Sequence, residues 1–204
     1  MNTKNAMIIT LLLILSNYLF GQENIKSHYK KIKTIVVGGG CFWCVEAVFD
    51  GVKGVKSVVS GYSGGIIKNP SYKEVSRSLT NHAEVCEITY NSLEIELQSI
   101  LEIFYLSHDP TTLNRQGNDV GKHYRSIILY NDNEEKKIIT NYTEKINNDL
   151  FDNKIVTEIK KLETFYKAEE YHQDYFQNNF NQPYCKFVIS PKVTKARKEL
   201  SKYY

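Results

Sequence analysis

The chain has 204 residues with 26 basic and 23 acidic side chains, a net charge of +3, which is long enough for one domain with its own core and too mildly charged for a nucleic-acid surface. Only four prolines occur, and repeats and low-complexity tracts are absent, which excludes a solenoid or a proline-rich linker and leaves a single domain. Cysteines at 41, 44, 86 and 185 are too sparse for a disulfide scaffold and too scattered for a closed zinc site, so redox chemistry is the first expectation.

Residues 1–21 have the layout of a secretory signal peptide or N-terminal anchor, with one lysine, an apolar run from Ala6 to Leu15, and Gly21 before a polar stretch. Export to the periplasm or another extracytoplasmic compartment follows, with cleavage after Gly21 or retention as an anchor. There a spare cysteine pair tends to oxidise. From Lys33, KTIVVGG reads as a buried strand ended by glycines. Val45, Val48, Phe49 and Val52 recur at spacings of three and four, which predicts a helix from Phe42 to Val52 ending near Gly54. Cys41 therefore sits at a strand-to-helix turn.

VKSVVSGYSGG continues as a strand and a glycine-rich turn, and KNPSYKEV carries neither a helix nor a strand pattern. Glu84 to Tyr90 alternates as a strand with Cys86, Ile88 and Tyr90 on its apolar side and Glu84 on that same side. An inward carboxyl is either paired with a cation or kept dry with a raised pKa, which makes Glu84 a candidate general acid. Ser92 is read as the N-cap of a helix through Leu93, Leu97, Ile100, Leu101 and Phe104. The stretch SHDPTTLNRQGNDVGKHYRS has no periodicity, and a loop that long is usually functional. YRSIILY is a strand, Asp132 and Glu135 form a capping-box pattern before a helix bearing Ile139, Tyr142 and Ile146, and Ile155, Thr157 and Ile159 predict another strand. Ala168 to Phe176 is expected to be a helix with Tyr171 and Tyr175 one turn apart, and residues 196–204 a basic, irregular tail. Interleaved strands and helices with some antiparallel pairing give an α/β or α+β fold in two layers.

A thiol at a helix N-terminus meets free backbone N–H groups and the positive end of the helix dipole, which favour the thiolate. Three glycines before Cys41 allow a tight turn and open an approach to the sulfur. Phe42 and Trp43 offer an apolar wall that suits a small sulfur-bearing group.

Gly40-Cys-Phe-Trp-Cys-Val-Glu46 resembles the signature of the A-type peptide-methionine sulfoxide reductases, which reduce the S epimer of methionine sulfoxide. Asn81 to Glu84, His108 to Asp119, Tyr124-Arg-Ser126 and Glu170 to Tyr175 look like further landmarks in the right order. The resemblance covers residues 33–195 and implies a two-layer sandwich around a mixed sheet, related to the ferredoxin-like plait. It implies that Cys41 attacks the sulfoxide sulfur, Glu84 protonates the oxygen, and Tyr72 and Tyr124 hydrogen-bond it. Phe42 and Trp43 would hold the ε-methyl group, and Asp119 would support the substrate. Cys44 or Cys185, or both in sequence, would resolve the Cys41 sulfenic acid. No bound cofactor and no metal are implied; the partners would be oxidised proteins and a thioredoxin or thioredoxin-like donor, and the enzyme would act as a monomer. His123 stands where the family pattern has Gln, and it is left out of the site.

Other readings of the same residues stand beside this one. Cys41 and Cys44 could form a structural disulfide, half a metal site, or the centre of a general thiol-disulfide oxidoreductase. Cys185 could be a bystander, Glu84 a solvated or ion-paired strand end, Asp119 a turn residue, and Tyr72 and Tyr124 ordinary packing residues. Cys86 alternates with core residues and reads as inert, and His172 as a packing histidine.

Overall fold

The computed structural model describes residues 31–204, so the expected signal or anchor segment at 1–21 lies outside the described residues. TIVV is apolar without alternation because β1 (Ile32–Gly38) is buried on both faces, with Ile35, Val36 and Val37 at 0% exposure. After it come α1 (Phe42–Phe49), β2 (Val55–Ser63), α2 (Tyr72–Ser76), β3 (Ala83–Asn91) and α3 (Leu97–Ser107). The expected long loop carries a small hairpin, β4 (Arg115–Gln116) with β5 (Asp119–Val120), and one 3-10 turn at Lys122–Tyr124. Next follow β6 (Ile127–Tyr130), α4 (Asn133–Leu150), β7 (Glu158–Lys161), β8 (Tyr166–Lys167), the four-residue α5 (Tyr175–Asn178) and α6 (Ser190–Glu199).

Six strands form a mixed sheet in the order β7-β6-β1-β3-β2-β8, antiparallel at β1/β6, β2/β3 and β2/β8 and parallel at β6/β7. On one face α1 lies against β2 and β3 and is flanked by α3 and α6, with α4 packed on α3. Phe42, Cys44, Val45, Ala47, Val48 and Phe49 are all buried there. A side chain as large as Phe49, fully buried, contributes about 1.5–3 kcal/mol. A smaller cluster, Val36, Ala83, Val85, Ile127 and Leu129 under Leu162 and Phe165, covers the other face.

Several boundaries differ from the sequence reading, each for a local reason. α1 stops at Phe49 because Asp50 turns to an extended ψ of 128° and Gly51 is left-handed; Val52 reaches the core from the turn instead. α3 starts at Leu97, not after Ser92, because the Asn91 carbonyl and side chain take the N–H groups of Leu93, Glu94 and Ile95 in a turn that leaves Leu93 exposed. KNPSYKEV holds all but the last residue of α2, which is too short for a period but is started by a Ser71/Glu74 capping box. β7 begins at Glu158, three residues later than Ile155 suggested. Residues 196–204 are not an irregular tail: α6 runs to Glu199, Leu200 is buried, and the Tyr204 hydroxyl donates to the Val48 carbonyl.

The predicted helix at 168–176 is broken. Tyr166 and Lys167 pair with β2, Glu170–His172 is a 3-10 turn, and Asp174 is left-handed at φ 50°. The Gln173 side chain competes with helical bonding, taking the Ser60 N–H and donating to the carbonyls of Ser60 and Ala168, each at 3.0 Å. Tyr171 and Tyr175 consequently do not share a helical turn.

Gly61 in β2 has no room for a side chain, since a Cβ there would lie 2.3 Å from the Phe165 ring and 2.6 Å from the Tyr166 carbonyl. Gly61→Ala is expected to destabilise the fold by about 1–3 kcal/mol, read as a lower urea midpoint; an unchanged midpoint would contradict this packing.

Candidate active site

Cys41 occupies the N-cap position of α1, held there by the glycines before it. Gly40 is left-handed at φ 96° and a Cβ on it would meet the Gln116 side chain at 2.6 Å; one on Gly39 would meet the His108 ring at 3.0 Å. His108 is itself fixed, Nδ1 against the Phe104 carbonyl at 2.6 Å and Nε2 against Ser126 Oγ at 2.8 Å, and burial pulls its pKa down to about 4. It is a neutral wedge behind the glycine loop.

β3 brings Glu84 to this turn. Its side chain is 1% exposed, and its Oε2 accepts the Phe42 N–H at 3.1 Å. Burial raises the Glu84 pKa to about 8, the Phe42 N–H opposing and the charges of Asp119 and Cys44 adding to the rise. No ion pair reaches it among the described residues. At neutral pH Glu84 is therefore mostly a neutral, proton-carrying acid.

The helix N-terminus does not make Cys41 a resting thiolate, as its position alone suggested. Burial, the hydrogen bond with Cys44 and the Glu84 charge push the Cys41 thiol well up, and only the Trp43 N–H pulls the other way. The Phe42 N–H, the other donor of that first turn, is engaged with Glu84. Cys44 is the member of the pair held down, to about 7, by the hydrogen bond from Cys41 against burial, with Lys192 and the Tyr184 hydroxyl assisting. Of the two thiols, Cys44 is the one whose thiolate the site favours and Cys41 the one that holds its proton more tightly.

Tyr72 and Tyr124 close the site. Burial and then the charges of Glu84 and Cys41 raise both phenols, Tyr72 to about 12 and Tyr124 further. Both hydroxyls stay protonated donors at any ordinary pH. Asp119 accepts the Tyr184 hydroxyl at 2.9 Å. The six residues Cys41, Cys44, Glu84, Tyr72, Tyr124 and Asp119 thus converge from four separate parts of the chain.

Phe42 and Trp43 form an aromatic wall larger than the sequence suggested. The Trp43 ring stacks on Tyr175 with centroids 3.6 Å apart and planes 6° from parallel, and meets the edge of Tyr184 at 6.0 Å. Its Nε1–H donates to His172 Nδ1 at 3.2 Å, and His172 packs on Phe42 at 5.0 Å and Tyr72 at 4.5 Å. His172 does pack, but against residues of the pocket. Glu169 ties the wall to α2, its carboxylate accepting the Tyr62 hydroxyl at 2.7 Å and the Tyr72 N–H at 2.9 Å. The sequence reading missed Tyr62, Glu169, Tyr175 and Tyr184 as pocket residues; the polar-aromatic density of AEEYHQDY signalled Glu169 and Tyr175, and Tyr62 and Tyr184 left no such local signal.

Cys185 is buried in a π-helical turn, Cys185–Ile189, that leads into α6, close enough to Cys44 for that thiolate's charge to raise its pKa after burial. Such turns often mark functional positions. Cys86 points into the core with its thiol donating to the Phe42 carbonyl at 3.4 Å, as an inert packing residue would. His123 lies against Ser78 and the Tyr124 ring. Among the described residues no cluster of three or more His, Cys, Asp or Glu is placed to hold a metal ion.

Residues 33–203 match the family model described as peptide methionine sulfoxide reductase. The chain belongs to this family. A relative from Trichodesmium erythraeum named peptide methionine sulfoxide reductase MsrA is 52% identical over 168 residues, covering 82% of this chain and 95% of that one. The reduced form of Mxr1 from Saccharomyces cerevisiae superposes with a TM-score of 0.71 at 34% identity, over 76% of this chain and 90% of that one. Mxr1 in complex with Trx2 superposes at 0.51 and 27% identity, over 72% and 86%. As a member of the reductase family, the chain carries its signature cysteine on a neutral acid and an aromatic wall, in a mixed sheet shared with solved relatives.

Proposed function

We propose that this protein reduces the S epimer of methionine sulfoxide, free or in oxidised proteins, to methionine, with thiols as the reductant. The observation that carries it is Glu84, a buried carboxyl that keeps its proton at neutral pH beside Cys41. Glu84 gives that proton to the sulfoxide oxygen while the Tyr72 and Tyr124 hydroxyls hydrogen-bond the same oxygen, which makes the sulfur electrophilic. Cys41 attacks the sulfur, and its own thiol proton replaces the one Glu84 gave. The oxygen passes to Cys41, so one thiol and one sulfoxide become one sulfenic acid and one methionine. Phe42 and Trp43 hold the ε-methyl group, and Asp119 supports the rest of the substrate.

Cys44, already hydrogen-bonded to Cys41 and the lower in pKa, attacks the sulfenic acid, forming a Cys41–Cys44 disulfide and releasing water. Cys185 then exchanges with Cys44 and passes the disulfide outward. A thioredoxin-like dithiol reduces it, as the complex of the yeast relative with Trx2 suggests. The protein works without a bound cofactor, as a monomer and after export. A general thiol-disulfide oxidoreductase would use the same CxxC, but would have no use for a dry Glu84 or an aromatic pocket.

Single-turnover assays without added reductant test this. The S epimer should yield methionine with loss of at least two of the four thiols, and the R epimer none. A folded protein that leaves the S epimer untouched, or takes both epimers equally, would refute it.

A further inference from the structure

Glu46 ends the Gly40–Glu46 signature, yet the reaction above does not use it. Its side chain is buried with no cation against it among the described residues, and burial raises its pKa to about 7 against the pull of its hydrogen-bond donors. A buried carboxyl without a counter-charge is costly, so its hydrogen bonds have to compensate. Oε1 accepts the Ser60 hydroxyl at 3.1 Å and Oε2 the Tyr175 N–H at 3.0 Å, with the Asp174 backbone N–H a third donor.

These donors lie on β2 and on the broken segment at 173–175. That segment cannot hold itself by helical bonding, since Asp174 is left-handed. Gln173 pins one end of it to Ser60, and Glu46 pins the other. Trp43 and Glu46 are three residues apart, on one face of α1. They meet the same residue from two sides: Trp43 takes the Tyr175 ring, and Glu46 takes the Tyr175 N–H.

We propose that Glu46 is a positioning residue for the methyl pocket, fixing the Tyr175 backbone so that the Tyr175 ring lies flat on Trp43. The inference rests on the reductase reading for what the pocket binds, but not for the wall itself. What matters is an acceptor at this reach, not the charge. The Ser60 hydroxyl can reverse its bond, so a glutamine amide would accept from Tyr175 and donate to Ser60. Aspartate, one methylene shorter, keeps the charge and loses the reach; leucine loses both.

Trp43 is the single tryptophan of the chain, so selective indole emission reports the stack directly. Glu46→Leu and Glu46→Asp are expected to shift that emission towards that of Tyr175→Leu. They should raise the sulfoxide concentration for half-maximal single-turnover rate about tenfold, with the maximal rate within about threefold. Glu46→Gln should match the wild type in both. Wild-type emission and half-saturation in the leucine and aspartate variants would overturn the proposal, as would a glutamine variant as impaired as leucine. If Glu46→Leu does not fold, Glu46→Asp decides. The emission is read without substrate, so failure of the wild type to reduce the S epimer would count against the reductase reading and leave the wall to be judged by Trp43.

Discussion

Glu84→Gln is expected to slow single-turnover reduction of the S epimer by about 10²–10⁴-fold, the usual loss when a positioned acid is removed. Glutamine keeps the shape and can still accept the Phe42 N–H, so binding should change little and the loss should appear in the maximal rate. The pH profile gives a second, independent reading. The working form is protonated and its pKa is raised from the ordinary 4.5 to about 8, so the wild-type rate should hold up to about pH 8 and then fall as the proton leaves. In Glu84→Gln that descending limb should vanish. A variant with a wild-type rate, or a wild-type profile still rising through pH 9, would remove Glu84 from the acid role.

The same residue links function to stability. The unfolded chain releases the Glu84 proton near 4.5 and the folded one only near 8, so this group favours folding least at high pH. Its contribution is complete below 4.5, declines as pH rises, and is lost above about 8. Glutamine has no proton to lose, so Glu84→Gln should melt at a higher temperature than the wild type at pH 7 while being nearly inactive. Greater stability with lost activity is the signature of a strained functional group.

Glu84 was legible in the sequence because a strand has a period of two: with Cys86, Ile88 and Tyr90 facing inward, Glu84 must do so too. The β-α order was legible from period and spacing, whereas the mixed sheet was an expectation from the family resemblance and the aromatic pair at 42 and 43 was read from its place beside Cys41. The second half of the pocket was not. Tyr175 and Glu169 reach the site through a segment whose conformation is set by side chains far away in sequence, Glu46 and the Ser60 neighbourhood, and no local pattern records such ties. The Cys41 acidity was misread for a related reason. Position at a helix N-terminus favours a thiolate, but burial is a tertiary quantity, and here it outweighs the dipole.

Cys41→Ser is expected to abolish methionine formation from the S epimer, because a serine hydroxyl is a far weaker nucleophile at sulfur and nothing else in the site replaces it. The other cysteines separate chemistry from recycling. Cys44→Ser should still form one methionine per chain, leaving Cys41 as a sulfenic acid that dimedone traps, and then stop, because the thiol hydrogen-bonded to Cys41 is gone. Turnover with a thioredoxin-like donor should fall to a small fraction. The relay through Cys185 predicts a stoichiometry. In the wild type, passing the disulfide from Cys41–Cys44 to Cys44–Cys185 frees Cys41 for a second sulfoxide, so two methionines form per chain without reductant. Cys185→Ser should give one. A wild type that also stops at one methionine would make Cys185 a bystander and leave Cys41–Cys44 as the disulfide the donor reduces. Cys86→Ser, at a residue whose thiol is buried in the core against the Phe42 carbonyl and Ser60, should leave the count unchanged.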